Sequence, residues 1–109
     1  MAPKSRSLII GESASADLDS IYEYIAEDSP EIAAGFIKQL VADIERIARL
    51  GVIGVARDGL RPGLRMHGFG RYCAYFRVAD RHMIVVRVLH GARDLDGIDF
   101  EPDGGSSGE

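Results

Sequence analysis

Apolar residues in the first half of the chain recur at the spacing of a helix. Leu18, Ile21, Tyr22 and Ile25 lie at positions i, i+3, i+4 and i+7, so they share one face of a helix. The serines at positions 13 and 15 precede this stripe, and either side chain can accept the free backbone N–H groups of a first turn. The pattern predicts an amphipathic helix that starts near these serines.

A second and longer helical stripe follows a clear break. Ser29 and Pro30 form the break and also favour a restart, because serine caps helices and proline fits the first helical position. The stripe consists of Ala33, Phe36, Ile37, Leu40, Val41, Ile44, Ile47 and Ala48. Gly51 ends it. Since so few residues separate the two helices, we expect an antiparallel helical hairpin.

The remaining apolar runs have strand length. The run Leu8–Ile10, which Gly11 ends, predicts a short edge or flanking strand at about 7–11. Residues 51–63 are rich in glycine and have no sustained period, so they are expected to form a loop. Three further strands are predicted at 64–67, 71–78 and 82–90, and their short connections favour an antiparallel meander. The expected fold is α+β, with the hairpin packed on the meander.

Strict alternation along these strands assigns two faces to the sheet. Ile84, Val86 and Val88 are expected to face the helices, together with Tyr72, Ala74, Phe76 and Val78. The opposite face then gathers Arg65, His67, Cys73, Tyr75, Arg77, Met83, Val85, Arg87 and Leu89. Nothing else in the chain looks large enough to cover this second face. We therefore expect it to be open to water or to a partner.

Composition bounds the class of protein. With 109 residues and 46% hydrophobic residues, the chain has room for one small domain, which we assign to residues 1–100, with a flexible polar tail at 101–109. The lone Cys73 excludes a disulfide-stapled secreted domain. No apolar run approaches the roughly 20 residues that span a bilayer, so neither a membrane partner nor export is expected. The cytoplasm is the expected location.

Charge is distributed unevenly along the chain. The net charge is −4, yet residues 51–100 hold eight arginines and five aspartates, a local balance of +3. Arginine is suited to bidentate pairing with carboxylates and phosphates. The basic sheet face therefore has three open interpretations. It binds nucleic acid, it binds a protein through arginines and apolar residues, or its arginines only keep an exposed face of the sheet hydrated.

Chemistry-bearing motifs are few. The chain lacks CxxC, HExxH, GxSxG and the phosphate-binding GxxxxGK[ST] motif. The three histidines are spread along strands whose directions do not obviously bring them together. We expect no metal and no cofactor, and we assign no role to Cys73.

Four sequence blocks in order resemble a known superfamily. They are the helical segment DLDSIYEYI at 17–25, PGLR at 62–65, GRYCAYFR at 70–77 and RVLHGARD at 87–94. In this order, residues 8–95 resemble the RelE/ParE superfamily of toxins from bacterial type II toxin–antitoxin systems, and look most similar to the ParE branch. That branch implies a cytoplasmic inhibitor of DNA gyrase that a cognate ParD-like antitoxin neutralises in a hetero-oligomer, with no catalytic residues.

The resemblance also implies roles for individual residues. Its target-binding segment would include Arg87, His90, Arg93 and Asp94. The antitoxin would cover the expected open face through Arg65, Tyr75, Arg77, Met83, Val85, Arg87 and Leu89. Two alternatives stay open: a non-toxic protein-binding member of the family, or a RelE-like enzyme that cleaves messenger RNA on the ribosome. In the enzyme, Arg65, Tyr75, Arg77, Arg87 and His90 would form the active site.

Overall fold

Two helices lie between a short N-terminal strand and a C-terminal group of strands. The computed structural model describes residues 4–101. Its elements are β1 (Ser7–Ile10), α1 (Glu12–Ala26), α2 (Pro30–Leu50), β2 (Val55–Ala56), β3 (Arg65–Phe69), β4 (Tyr72–Val78) and β5 (His82–His90). The strands form one sheet in the order β1-β5-β4-β3-β2, in which β1 runs parallel to β5 and the other neighbours are antiparallel.

This architecture confirms the α+β class, the hairpin and the C-terminal meander. Strand β1 lies at one edge of the sheet, as predicted. The other edge is β2, a two-residue strand within the segment that was expected to be only a loop. That expectation was wrong because a strand of two exposed residues leaves no alternating pattern to detect.

The ends of the helices follow local chemistry. The Ser29 hydroxyl accepts a hydrogen bond from the N–H of Ile32 at 3.2 Å, Pro30 occupies the first turn, and Gly51 ends α2 at φ 76°. Helix α1 differs from the prediction, because its N-cap is Gly11 and the helix already includes residues 13 and 15. Within residues 4–101, neither helix is long and apolar enough to cross a membrane.

The sheet separates two apolar clusters. The cluster on the helix side contains Ile21, Leu40, Ile44, Ile47, Ala74, Phe76, Met83, Val85 and Val88, among others. The cluster on the other side contains Leu64, Tyr75, Val86, Leu89, Ile98 and Phe100. Ile84 packs at the edge of this second cluster. His67, predicted on the open face, instead lies on the helix side, where it pairs with Asp43 of α2 at 2.7 Å. In β5 the predicted faces were right for Val88 and Leu89 and wrong for residues 83–86.

A β-bulge explains this error. Tyr75 pairs with Arg87 and the next residue, Phe76, pairs with Val85, so Val86 is an extra residue in β5. The extra residue reverses the alternation of side chains across the bulge. Met83 and Val85 consequently face the helices, where both are fully buried.

The second face of the sheet is covered by the chain itself. The rings of Phe100 and Tyr75 lie 5.0 Å apart, and Phe100 is 1% exposed. Arg77 fixes the covering segment, since its guanidinium donates to the carbonyl of Pro62 at 2.7 Å and pairs with Glu101 at 3.4 Å. The expectation of an open face is wrong because residues 95–101 pack back onto the sheet. The rest of the predicted tail, 102–109, lies outside the described residues.

Candidate functional site

Arg87 joins β5 to helix α1. Its Nε and one terminal nitrogen each lie 2.8 Å from an oxygen of Asp17, which makes a bidentate pair. The same carboxylate accepts the backbone N–H of Val88 at 2.9 Å. The two side chains are only 18% and 14% exposed. The pair gives Arg87 a structural role, and its predicted contacts with a target or an antitoxin would require breaking the pair.

Arg65 and Arg77 are likewise bonded within the protein. Arg65 donates through Nε to the carbonyl of Ile53 and through a terminal nitrogen to that of Gly54 at 3.2 Å. Arg77 bonds Pro62 and Glu101, as described above. Both arginines thus fix the two ends of the 51–63 segment against the sheet.

The uncharged residues of the predicted antitoxin face are buried. Tyr75, Met83, Val85 and Leu89 are between 0% and 3% exposed. Burial raises the pKa of the Tyr75 phenol above its usual 10.0. These four side chains offer almost no surface to a partner, so their assignment as antitoxin contacts is corrected: they belong to the core.

Only one residue of the RNA-cleaving alternative, His90, lines a pocket described below. Neither of the two pockets described below contains more than one of Arg65, Tyr75, Arg77, Arg87 and His90.

A pocket does form where β5 ends beside helix α1. It has a volume of about 320 Å³ and is lined by Tyr24, Arg71, Tyr72 and His90. A second pocket, of about 160 Å³, shares Tyr24, Tyr72 and His90 and adds Arg93. We call the combined concavity the β5-end pocket; besides these five residues, Asp17, Ser20, Ile21, Val88 and Leu89 also line it. The volume of the larger pocket is in the range of small-ligand sites.

Ring packing fixes the floor of the β5-end pocket. The Tyr72 ring meets His90 edge to face at 5.4 Å and packs on Phe36 at 5.6 Å. His90 Nδ1 accepts the N–H of Ala92 at 3.0 Å, so in the neutral ring the proton is on Nε2. Tyr24, in contrast, is 71% exposed. The pocket therefore combines two fixed rings with one ring that is open to a ligand.

The two arginines of the β5-end pocket differ from those of the sheet. Within residues 4–101, the side chains of Arg71 and Arg93 make no hydrogen bond or ion pair. Both residues are exposed. The adjacent Asp94 accepts the N–H of Asp96 at 3.0 Å and makes no ion pair with Arg93 in this part of the chain. The pocket thus offers two cations that no described residue neutralises.

Of the predicted target-binding residues, His90 and Arg93 share the β5-end pocket, Asp94 adjoins it, and Arg87 is held by Asp17. Tyr24, Arg71 and Tyr72 were missed as site residues. One signal was available for Tyr24, because this aromatic residue lies off the apolar stripe of its helix. An aromatic side chain outside the core face is free to meet a ligand.

Comparison with known proteins identifies the family. The family model described as the ParE toxin of the type II toxin–antitoxin system parDE matches residues 8–95. The chain belongs to the ParE toxin family. It is 37% identical to Toxin ParE1 of Caulobacter vibrioides over 71% of this chain and 80% of that protein. It is 32% identical to Toxin ParE1 of Mycobacterium tuberculosis over 84% of this chain and 96% of that protein.

Solved structures agree with the family assignment. A chain of the chromosomal ParDE toxin–antitoxin system from P. aeruginosa has a TM-score of 0.65 and 27% identity, with coverage of 78% of this chain and 95% of that one. A chain of the RelBE2 toxin–antitoxin complex from Mycobacterium tuberculosis has a TM-score of 0.53 at 22% identity and shows the shared fold alone. These findings confirm the RelE/ParE resemblance and its ParE branch. The chain is therefore the toxin component of a type II toxin–antitoxin system.

Proposed function

We propose that this ParE toxin inhibits DNA gyrase through the β5-end pocket and that a ParD-like antitoxin neutralises it. The observation that carries the proposal is a pair of arginines beside His90, Arg71 and Arg93, whose side chains have no partner within residues 4–101. All three lie within the region that matches the ParE family. Guanidinium groups without internal partners are available for carboxylates or phosphates of a target complex.

The antitoxin contact is proposed at a different surface from the one first expected. Leu50, Val52, Ile53 and Val55 are between 41% and 61% exposed and follow one another from the end of α2 into the edge strand β2. Arg65, one of the predicted antitoxin contacts, bonds the backbone of this same segment. Exposed apolar residues beside an unpaired strand edge favour pairing with another chain. The similar chain from the chromosomal ParDE toxin–antitoxin system of P. aeruginosa supports such a partner.

A supercoiling assay with purified gyrase tests the target. The toxin should inhibit supercoiling, and Arg93→Ala should abolish most of the inhibition. Arg81→Ala is a matched control, because Arg81 is also exposed but lies at the opposite end of β5. Full inhibition by Arg93→Ala, or equal losses in both variants, would contradict the proposed site. No inhibition by the unaltered toxin would contradict gyrase as the target.

The antitoxin contact has a separate test. Val55→Asp should weaken the affinity of the toxin for its antitoxin, measured by calorimetry, because it places a charge in the proposed apolar contact. Ile9→Asp, at the other edge of the sheet, serves as the control, since Ile9 is also exposed. Unchanged affinity of Val55→Asp would place the antitoxin elsewhere.

A further inference from the structure

The β5-end pocket has the side chains of a nucleic-acid site. We propose that it binds a single-stranded nucleic-acid segment, with a base stacked on Tyr24 and adjacent phosphates on Arg71 and Arg93. This inference deepens the proposed function and rests on it in one respect. If the toxin inhibits gyrase, the segment bound in the gyrase complex would be DNA whose strands gyrase has opened.

Stacking is the first part of the argument. Tyr24 projects from α1 with 71% of its surface exposed, although burying an aromatic ring would be favourable. Tyr72 and His90, whose rings pack against each other, line the same pocket. Proteins that bind single strands use such aromatic platforms, because every base offers a flat face. A base that enters between Tyr24 and the Tyr72–His90 pair would contact rings on two sides.

Charge is the second part of the argument. Arg71 and Arg93 lack internal partners within residues 4–101. Nδ1 of His90 accepts the N–H of Ala92, which leaves Nε2–H to donate to a phosphate oxygen. The acidic residue that lines the smaller pocket, Asp17, is already bonded to Arg87. The cations of the pocket are therefore available to a polyanion, whose phosphates they would contact on both sides of the stacked base.

The lining favours a nucleic acid over an apolar peptide. A peptide anchor needs accessible aliphatic surface, and the aliphatic residues at this place are Ile21, Val88 and Leu89. All three are less than 10% exposed, because they belong to the two apolar clusters. What the pocket presents to a ligand is instead aromatic rings, guanidinium groups and an imidazole.

Fluorescence anisotropy with labelled oligonucleotides tests the inference without gyrase. The full chain, free of antitoxin, is titrated into a short single-stranded DNA, the RNA of the same sequence and the corresponding DNA duplex. The single strands should bind more tightly than the duplex. Tyr24→Leu should weaken binding about fivefold or more, whereas Tyr24→Phe, which keeps the ring, should retain it. Each of Arg71→Ala and Arg93→Ala should lower the salt slope by about 0.7.

Controls and contrary outcomes are defined by the same titrations. Arg81→Ala should leave the affinity and the salt slope unchanged, and melting curves check that each variant is folded. Equal effects of Arg81→Ala and Arg93→Ala, duplex binding as tight as single-strand binding, or no binding at low salt would each overturn the inference. A preference for RNA would support the pocket but count against the gyrase complex. Failure of gyrase inhibition with intact DNA binding would overturn the proposed function alone.

Discussion

Arg87 and Arg93 lie on the same stretch of chain and have opposite fates. Arg87 forms a bidentate pair with Asp17 through its Nε and one terminal nitrogen, and the pair is largely buried. Arg93 comes just after β5, is exposed and has no side-chain partner within residues 4–101. The sequence presents both as candidate contacts for a target. The difference shows that the partners of an arginine, rather than its type or its position in a motif, decide whether it stabilises the fold or is available to a ligand.

Breaking the Arg87–Asp17 pair is expected to give the largest effect on stability. Arg87→Ala should lower the free energy of unfolding by about 3–5 kcal/mol, because it leaves the Asp17 carboxylate buried without its cation. Urea unfolding followed by circular dichroism measures the change. Toxicity should fall in proportion to the folded fraction.

Asp17→Asn provides the matched test of this pair. The amide keeps an oxygen that can accept the N–H of Val88, but it removes the charge that Arg87 needs. Because the bond to the Val88 N–H is kept, the free energy of unfolding should fall less in Asp17→Asn than in Arg87→Ala. A wild-type unfolding curve for Arg87→Ala would show that the pair contributes nothing and would remove the contrast with Arg93.

Arg77 is expected to give an intermediate effect. Arg77→Met keeps the packing of the long side chain but removes the bond to Pro62, in the 51–63 segment, and the ion pair with Glu101, which holds residues 95–101 on the sheet. The free energy of unfolding should fall by about 1–2 kcal/mol. Glu101→Gln should cost less, because Glu101 is more than half exposed. Equal costs would mean that the ion pair, and not the bond to Pro62, dominates.

Features that depend on residues adjacent in the chain could be predicted from the sequence, whereas features that depend on contacts between distant residues could not. The bounds of β5 at His82 and His90 and the caps of α2 at Ser29 and Gly51 follow from residues adjacent in the chain. The bulge at Val86 could not be predicted, since it depends on how β5 pairs with β4. A single bulge moved the side chains of residues 83–86 to the opposite face of the sheet, among them Met83 and Val85 of the predicted antitoxin surface.

The candidate site shows the same limit. His90 and Arg93 were predicted as site residues because they belong to one continuous motif, and both line the β5-end pocket. Tyr24 reaches the site from α1, and that contact across the fold is invisible in the sequence order. Equally, the sequence did not reveal that Phe100, after the last strand, covers the second face of the sheet. Distant residues converge only through tertiary packing, which a single sequence does not specify.

Asp43, which pairs with Arg46, offers a further test of a paired arginine, with a smaller expected effect on stability that depends on pH. Burial alone would raise the pKa of Asp43, but hydrogen bonds and charges from Arg46 and His67, each 2.7 Å away, lower it below its usual 3.8. A carboxyl group whose pKa is lowered by folding stabilises the protein above pH 3.8 and loses that contribution as the pH falls through the folded pKa.

Replacing Asp43 should therefore flatten the acid limb of the stability curve. Asp43→Asn should be less stable than the unaltered protein at neutral pH, by about 1 kcal/mol or less, and the gap should close on acidification below pH 3.8. Urea midpoints across a pH series measure this gap. Asp19→Asn, on the exposed surface of α1, is the control and should show no such closing gap. A constant gap for Asp43→Asn would indicate lost packing rather than titration.

The smallest change in stability is expected at Arg93, where the contrast with Arg87 is completed. Arg93→Ala removes an exposed side chain that bonds nothing in residues 4–101, so the free energy of unfolding should change by no more than about 0.5 kcal/mol. The same variant should lose most of the gyrase inhibition. A variant that is as stable as the unaltered protein but no longer inhibits gyrase would show that Arg93 acts in function and not in folding. Thermal melts and supercoiling assays on the same preparation measure both quantities. If Arg93→Ala instead melts well below the unaltered protein, as Arg87→Ala should, then Arg93 has a structural partner and the β5-end pocket loses one of its two free cations.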